Sequence, residues 1–115
     1  MTLGQKQRLF TELVGKLITW SYQNGYELTF GDAYRTPEAA TANAAAGKGI
    51  TRSLHTLRLA VDLNLFVGGE YRTRTEDYRA LGEYWKSLNP LARWGGDFTT
   101  RPDGNHFSIE HEGVR

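Results

Sequence analysis

Leu9, Phe10, Leu13, Val14, Leu17 and Ile18 recur at spacings of three and four residues, while Lys6, Glu12 and Lys16 fall on other faces. That period predicts an amphipathic helix over about Leu3 to Gln23, stopped by Asn24-Gly25. Tyr26 to Tyr34 alternates instead and reads as a strand. Thr36-Pro37-Glu38 combines an N-cap, a first-turn proline and an acid near the positive helix end. A helix is expected to follow through the alanine-rich run to Ala46, with Gly47 closing it and Gly47 to Arg52 forming a loop. Leu59 to Val67 is a strand, apolar except for Asp62 and Asn64, and Gly68-Gly69 turns it into a second strand around Tyr71. Thr75 is expected to cap a third helix carrying Tyr78, Leu81, Tyr84, Trp85 and Leu88 on one stripe, ended by Asn89-Pro90. From Trp94 to Glu110 the pattern is a glycine-rich loop followed by a short strand at His106 to Ile109. Three helices with an antiparallel sheet predict an α+β domain.

Length and composition narrow this picture. The 115 residues suit one domain spanning 1–115, and 39% apolar with 23% charged residues suits a folded globule. There is no cysteine, so a metal would have to be held by His, Asp or Glu. A net charge of +1 without a long basic block argues against nucleic acid as partner. The first twenty residues are interrupted by Lys6, Arg8, Glu12 and Lys16, unlike an export signal, and no window is apolar enough to insert in a membrane. These features predict a protein made in the cytoplasm, which meets anything beyond the membrane only with outside help.

The candidate chemistry centres on few residues. There are three histidines, His55, His106 and His111, and His111 reads as a surface residue near the end of the chain. Asp62 interrupts an apolar strand, and a buried carboxylate needs a charged partner or a metal. Arg58 or another arginine would satisfy it, and so would a cation shared with His55. Asp103-Gly104-Asn105-His106 places a second carboxylate three residues before a histidine across a turn, although Asp-Gly is also an ordinary turn pair. Two imidazoles and one carboxylate would leave a fourth position of a zinc ion open for catalysis. A His/Asp/His set also accepts other first-row ions.

Ser53-Leu54-His55 followed by Asp62 resembles the S-x-H-x(6)-D signature of the zinc DD-peptidases. That family includes D-alanyl-D-alanine carboxypeptidases and the L-alanyl-D-glutamate peptidases of phage endolysins. Tyr34-Arg35-Thr36-Pro37-Glu38 is similar to the family's Y-R-T-P-E segment. Trp94-Gly95-Gly96 and Asp103-x-x-His106 are similar to its W-G-G and D/E-x-x-H elements. The resemblance runs from about Tyr34 to Phe107. It implies a small antiparallel sheet flanked by helices, the DD-peptidase (hedgehog-like) fold. It further implies His55, Asp62 and His106 as zinc ligands, Asp103 as general base, and Arg35 as partner of the substrate carbonyl. Ser53 would support the site rather than act as nucleophile, since no residue looks like its activating base.

Two of these residues have plainer readings. Arg35 could simply pair with Asp32 or Glu38 at the surface. Trp94 could be core, although the flanking Gly95-Gly96 tilts it toward the wall of a substrate cleft. Arg58 stands where many relatives carry glycine, and Leu57-Arg58-Leu59-Ala60 is similar to the phage-type members.

The function expected is hydrolysis of amide bonds in peptidoglycan stem peptides, most readily the L-alanyl-D-glutamate bond cut by an endolysin. Such a protein would act as a monomer, released by a partner such as a holin. A D-alanyl-D-alanine carboxypeptidase is the rival enzyme. A non-catalytic metal-binding wall or protein-interaction module is the rival of another class, disfavoured because a purely structural site has no use for Asp103.

Overall fold

The computed structural model describes residues 1–45 and 53–115. Helix α1 spans Leu3–Gln23, as its periodicity predicts, with Phe10, Leu13, Leu17 and Ser21 buried on one stripe. Thr2 caps it: its hydroxyl accepts from the Gln5 N–H, and the Gln5 side chain accepts from the Thr2 N–H. Buried Ser21 donates back to the Leu17 carbonyl at 2.8 Å, which satisfies a hydroxyl that would otherwise be stranded in the core.

Strand β1 covers Tyr26–Phe30 and β2 covers Ala60–Val67; β3 is Glu70–Arg72, β4 is Ala92–Trp94 and β5 is His106–Ile109. The five form one sheet in the order β1-β2-β5-β4, with β3 also paired to β2. Every pairing is antiparallel. β1 lies along one edge of β2, while β5 pairs with the first half of the other edge and β3 with the second half. Val61, Leu63 and Leu65 of β2 are buried, whereas Asp62, Asn64 and Phe66 between them are half-buried. The period of two therefore separates a core face from a face that carries Asp62.

Helix α3, Arg79–Leu88, and α1 cover the core face. Trp85 is fully buried there; its ring lies edge-on to Phe10 of α1 and Phe107 of β5. Its indole N–H is shared between the carbonyls of Arg93 and Ser108 at 3.0 and 3.1 Å, so one side chain ties α3 to two strands. Trp20 stacks on Tyr84 with centroids 4.5 Å apart, locking the two helices together. Among the described residues, no helix is long and apolar enough to cross a membrane.

The sequence expectations hold in outline and shift at element ends. α2 runs Pro37–Ala45, with the Thr36 hydroxyl accepting from the Ala39 N–H at 3.1 Å as an N-cap should. Its expected stop at Gly47 and the loop to Arg52 lie outside the described residues. β1 ends at Phe30 rather than Tyr34, because Gly31 and Asp32 both bond the backbone of Asp62, two residues against one, which breaks the ladder. Thr75 does not cap α3. It opens a single 3-10 turn, Thr75–Tyr78, in which the Asp77 carboxylate accepts from the Arg74 N–H, and α3 begins only at Arg79. β4 takes Trp94, expected to open the loop, together with Ala92 and Arg93, to which the pattern assigns no element, since three residues are too few to show alternation.

Candidate metal centre and its cleft

Asp62 and His106 sit directly opposite each other in the β2–β5 ladder. Cross-strand partners share a face, and this one faces away from α1 and α3, because the next residues, Val61 and Phe107, point into the core. The backbone of Asp62 is fixed from its other edge as well. Its N–H donates to the Asp32 carbonyl at 2.7 Å, and its carbonyl accepts from the Gly31 N–H at 2.8 Å. A side chain at Gly31 would crowd this contact, since a Cβ there would lie 3.1 Å from that of Asp62.

His55 arrives from a 3-10 turn, Leu54–Leu57, whose first N–H groups are capped by Ser53; its hydroxyl accepts from the His55 N–H at 3.2 Å. The His55 Nδ1 lies 3.1 Å from the Ala33 carbonyl, which can only accept, so Nδ1 carries the proton when the ring is neutral. That leaves the Nε2 lone pair toward Asp62, whose Oδ1 is 3.4 Å away. The same oxygen lies 3.5 Å from His106 Nδ1.

These distances are informative because they are long. Asp62 Oδ1 is buried and has no hydrogen-bond partner. Donors bound to one tetrahedral zinc at about 2.0–2.1 Å would stand roughly 3.3 Å apart. Ligand atoms of His55, Asp62 and His106 all lie within 4.8 Å of one another. An orphaned carboxylate oxygen between two imidazoles therefore fits a shared cation, and the donor set suits zinc.

Without metal the carboxylate is coupled to the rings. Burial pushes the Asp62 carboxyl up, but the neighbouring His106 and His55 rings outweigh it and hold the group at about 2. For His55, burial disfavours the charged ring, yet Asp62 and the Ala33 carbonyl win and raise its pKa. Asp103 moves the other way from Asp62: burial and then the Asp62 charge raise it, against a smaller opposing pull from His106 and His55. A carboxyl shifted upward is better matched to accepting a proton near neutral pH.

A cleft of about 330 Å³ brings together Arg35, Ser53, His55, Asp62, Asp103 and His106. Arg35 makes the ion pair of its plainer reading and also lines the cleft. One guanidinium nitrogen pairs with Asp32 at 2.7 Å, while the group still lines the cleft and its Nε is buried without a partner. Ser53 lines the cleft too, though its hydroxyl is engaged in capping.

Trp94 is a correction. The register sets it opposite Phe107, on the core face, where it is 1% exposed and lines no part of the cleft. Gly82 of α3 and Gly96 lie against its ring so closely that a Cβ at either would collide with it. Its indole N–H donates to the Gly104 carbonyl at 2.7 Å and thereby holds the Asp103–His106 turn. The glycines beside it do not take left-handed angles; Gly95 is needed because a Cβ would strike the Asp103 carbonyl and the His106 Cβ.

Two further residues resolve differently from their expectations. Arg58 does not reach Asp62; its guanidinium carbon lies 4.0 Å from the centre of the Tyr34 ring. With φ of 58° it occupies the left-handed region that favours glycine. His111 is half-buried rather than on the surface, with Nδ1 3.1 Å from the Lys6 ammonium.

Sequence reasoning passed over Phe98, Arg101 and Arg115, which also line the cleft. Arg101 is two residues from Asp103 and could have been suspected on that ground. Nothing in the sequence points to Arg115.

Residues 46–109 match the sequence pattern of a family described as D-alanyl-D-alanine carboxypeptidase. The L-alanyl-D-glutamate peptidase of Listeria phage A118 is 32% identical over 104 residues, covering 85% of this chain and 36% of that protein. The chain thus spans about a third of the length of that curated relative. Among solved structures, the L-Ala D-Glu endopeptidase ChiX of Serratia marcescens superposes with a TM-score of 0.72 at 21% identity, over 87% of this chain and 79% of its own. A vancomycin-resistance D,D-pentapeptidase, VanY, solved as its E175A mutant with Zn(II), gives 0.59 at 20% identity, over 87% and 70%. The α+β fold expected from the sequence is the fold of these two peptidases.

Proposed function

The chain belongs to the D-alanyl-D-alanine carboxypeptidase family, and on that premise we propose that it is a zinc-dependent peptidoglycan peptidase cutting the L-alanyl-D-glutamate amide of wall stem peptides. The observation that carries the reading is the convergence of His55 and His106 on one unpartnered oxygen of Asp62, in the same cleft as Asp103. The three would hold zinc, which when bound supplies a Lewis acid for the scissile carbonyl and makes water more acidic.

The protein's own groups do the rest. The Asp103 carboxylate takes the proton of the attacking water and returns it to the nitrogen of the departing amine. The Arg35 guanidinium, kept in place by Asp32, orients the carbonyl oxygen and balances charge that develops on it. Ser53 sets the turn that carries His55.

The choice of bond leans on the phage relative, which is named for it. As an endolysin the protein would be made in the host cytoplasm, act as a monomer after a holin-type partner opens the membrane, and cause lysis by detaching cross-links from glycan. Digestion of purified sacculi, with and without chelator, tests the whole reading. Chelator-sensitive appearance of new D-glutamate amino groups is expected. Free D-alanine without new D-glutamate amine would mark a carboxypeptidase, and zinc binding without any product would mark a binding module.

A further inference from the structure

We propose that Arg101 and Arg115 form a carboxylate-binding subsite that takes the free carboxylate of the glutamyl residue on the leaving side of the scissile amide. This rests on the peptidase reading and goes beyond it by naming what the cleft recognises. Both arginines line the cleft beside the candidate metal ligands, and both line an adjoining depression of about 340 Å³ with Phe98, Thr99 and Thr100. They therefore stand where one hollow opens into the other.

Among the described residues neither guanidinium is paired with a carboxylate. Arg35, Arg72, Arg79 and Arg93 each have an acidic partner and Arg58 is spent on Tyr34; Arg8 and Arg74 also lack an acidic partner but line neither hollow. Two unpaired cations at the mouth of a polar cleft favour an anionic ligand, and planar guanidinium groups suit a carboxylate in particular.

The hollow that adjoins the cleft at Pro102 and Asp103 is different in kind. It holds about 230 Å³ and is lined by Tyr71, Thr73, Thr75, Tyr78 and Asn105, with no arginine or lysine. The substrate has a matching asymmetry. A glutamyl residue uses its amino group in the scissile amide and one carboxyl to continue the chain, which leaves its second carboxyl free and ionised. The alanyl side brings no charge. Asp103, which also borders the hollow of tyrosines and threonines, would repel a carboxylate there, so the glutamyl side belongs over Arg101 and Arg115 and the alanyl side over the tyrosines and threonines.

The test uses the zinc-loaded full chain and two synthetic L-alanyl-D-glutamyl peptides, one with the free glutamyl carboxylate and one with it amidated. The unmodified protein should prefer the free carboxylate by roughly tenfold in kcat/KM, mostly through KM, as expected for charge-assisted hydrogen bonds. The double variant Arg101→Gln, Arg115→Gln should bring that ratio to about one, and the double lysine variant should keep part of it. A ratio unchanged in the glutamine variant, or an equal loss on both peptides, overturns the subsite. So does equal cleavage of both peptides by the unmodified protein. Cleavage of neither peptide by the unmodified protein would instead overturn the peptidase reading itself.

Discussion

His55 and His106 reach the same carboxylate oxygen from unlike supports. His55 sits on a single 3-10 turn, and its ring is aimed by a hydrogen bond from Nδ1 to the Ala33 carbonyl. His106 opens strand β5, and its Nε2 is buried with no partner at all. What aims His106 is packing and register: Asp62 directly across the ladder, Phe98 with ring centroids 5.5 Å away, and Gly95 pressed against its Cβ. One ligand is oriented by a polar tether and the other by shape. The tether keeps its effect if neighbours shift a little, whereas steric aiming depends on several residues being no larger than they are.

The largest effect should come from removing either ring. His55→Ala and His106→Ala should each lose most of the approximately one zinc per chain expected of the unmodified protein, and with it sacculus-degrading activity, as metal analysis and turnover will show. Full zinc in both variants would break the ligand assignment. Next in size is Asp103→Ala, which shares the approach to β5 with His106 but is not needed to hold zinc. It should keep metal and fold while activity falls about 10²–10⁴-fold; a variant within a few-fold of the parent sinks the base assignment.

Gly95→Ala sharpens the comparison, because its Cβ would collide with the Asp103 carbonyl and the His106 Cβ while leaving the His55 tether untouched. Overpacking of this kind costs about 1–3 kcal/mol. Thermal denaturation should register that loss, with weaker zinc binding alongside it. Unchanged stability and affinity would show that the His106 support is more forgiving than its packing implies.

The smallest effect is in pH. In the metal-free protein His55 is raised above its ordinary 6.5, so its charged pairing with Asp62 stabilises fully below that value and is lost as pH rises through the folded-state pKa. Asp62, depressed from 3.8 to about 2, contributes above 3.8 and loses its contribution as pH falls toward 2. Metal-free protein should therefore melt highest between about pH 4 and 6.5 and lose stability as pH rises above that range. Zinc binding requires the neutral ring, so the zinc-loaded protein should gain stability over the same rise. Parallel slopes in the two melting series would remove His55 from the site.

Much of this was legible in the chain. The α1 stripe, the Thr36 cap and the β2 run are local signals, each carried by neighbours within a few residues. Asp62 announced itself as a carboxylate in an apolar strand, and Asp103 with His106 as a spaced pair. Their meeting with His55 in one cleft was expected through the family resemblance, and the structure brings the four together.

Other features depend on contacts between distant segments, which no local pattern encodes. Trp94 and His106 both flank glycine-rich turns, yet register places one in the core and the other in the cleft. Short β4 becomes a strand only because β5 pairs with it. The Ala33 tether joins residues 22 apart, and Arg115 enters the cleft only through the fold. The sequence by itself determined which residues could do the chemistry, because side-chain type and hydrophobic period are properties of the chain. Which face each one occupies, and what stands beside it, was decided by strand pairing and packing.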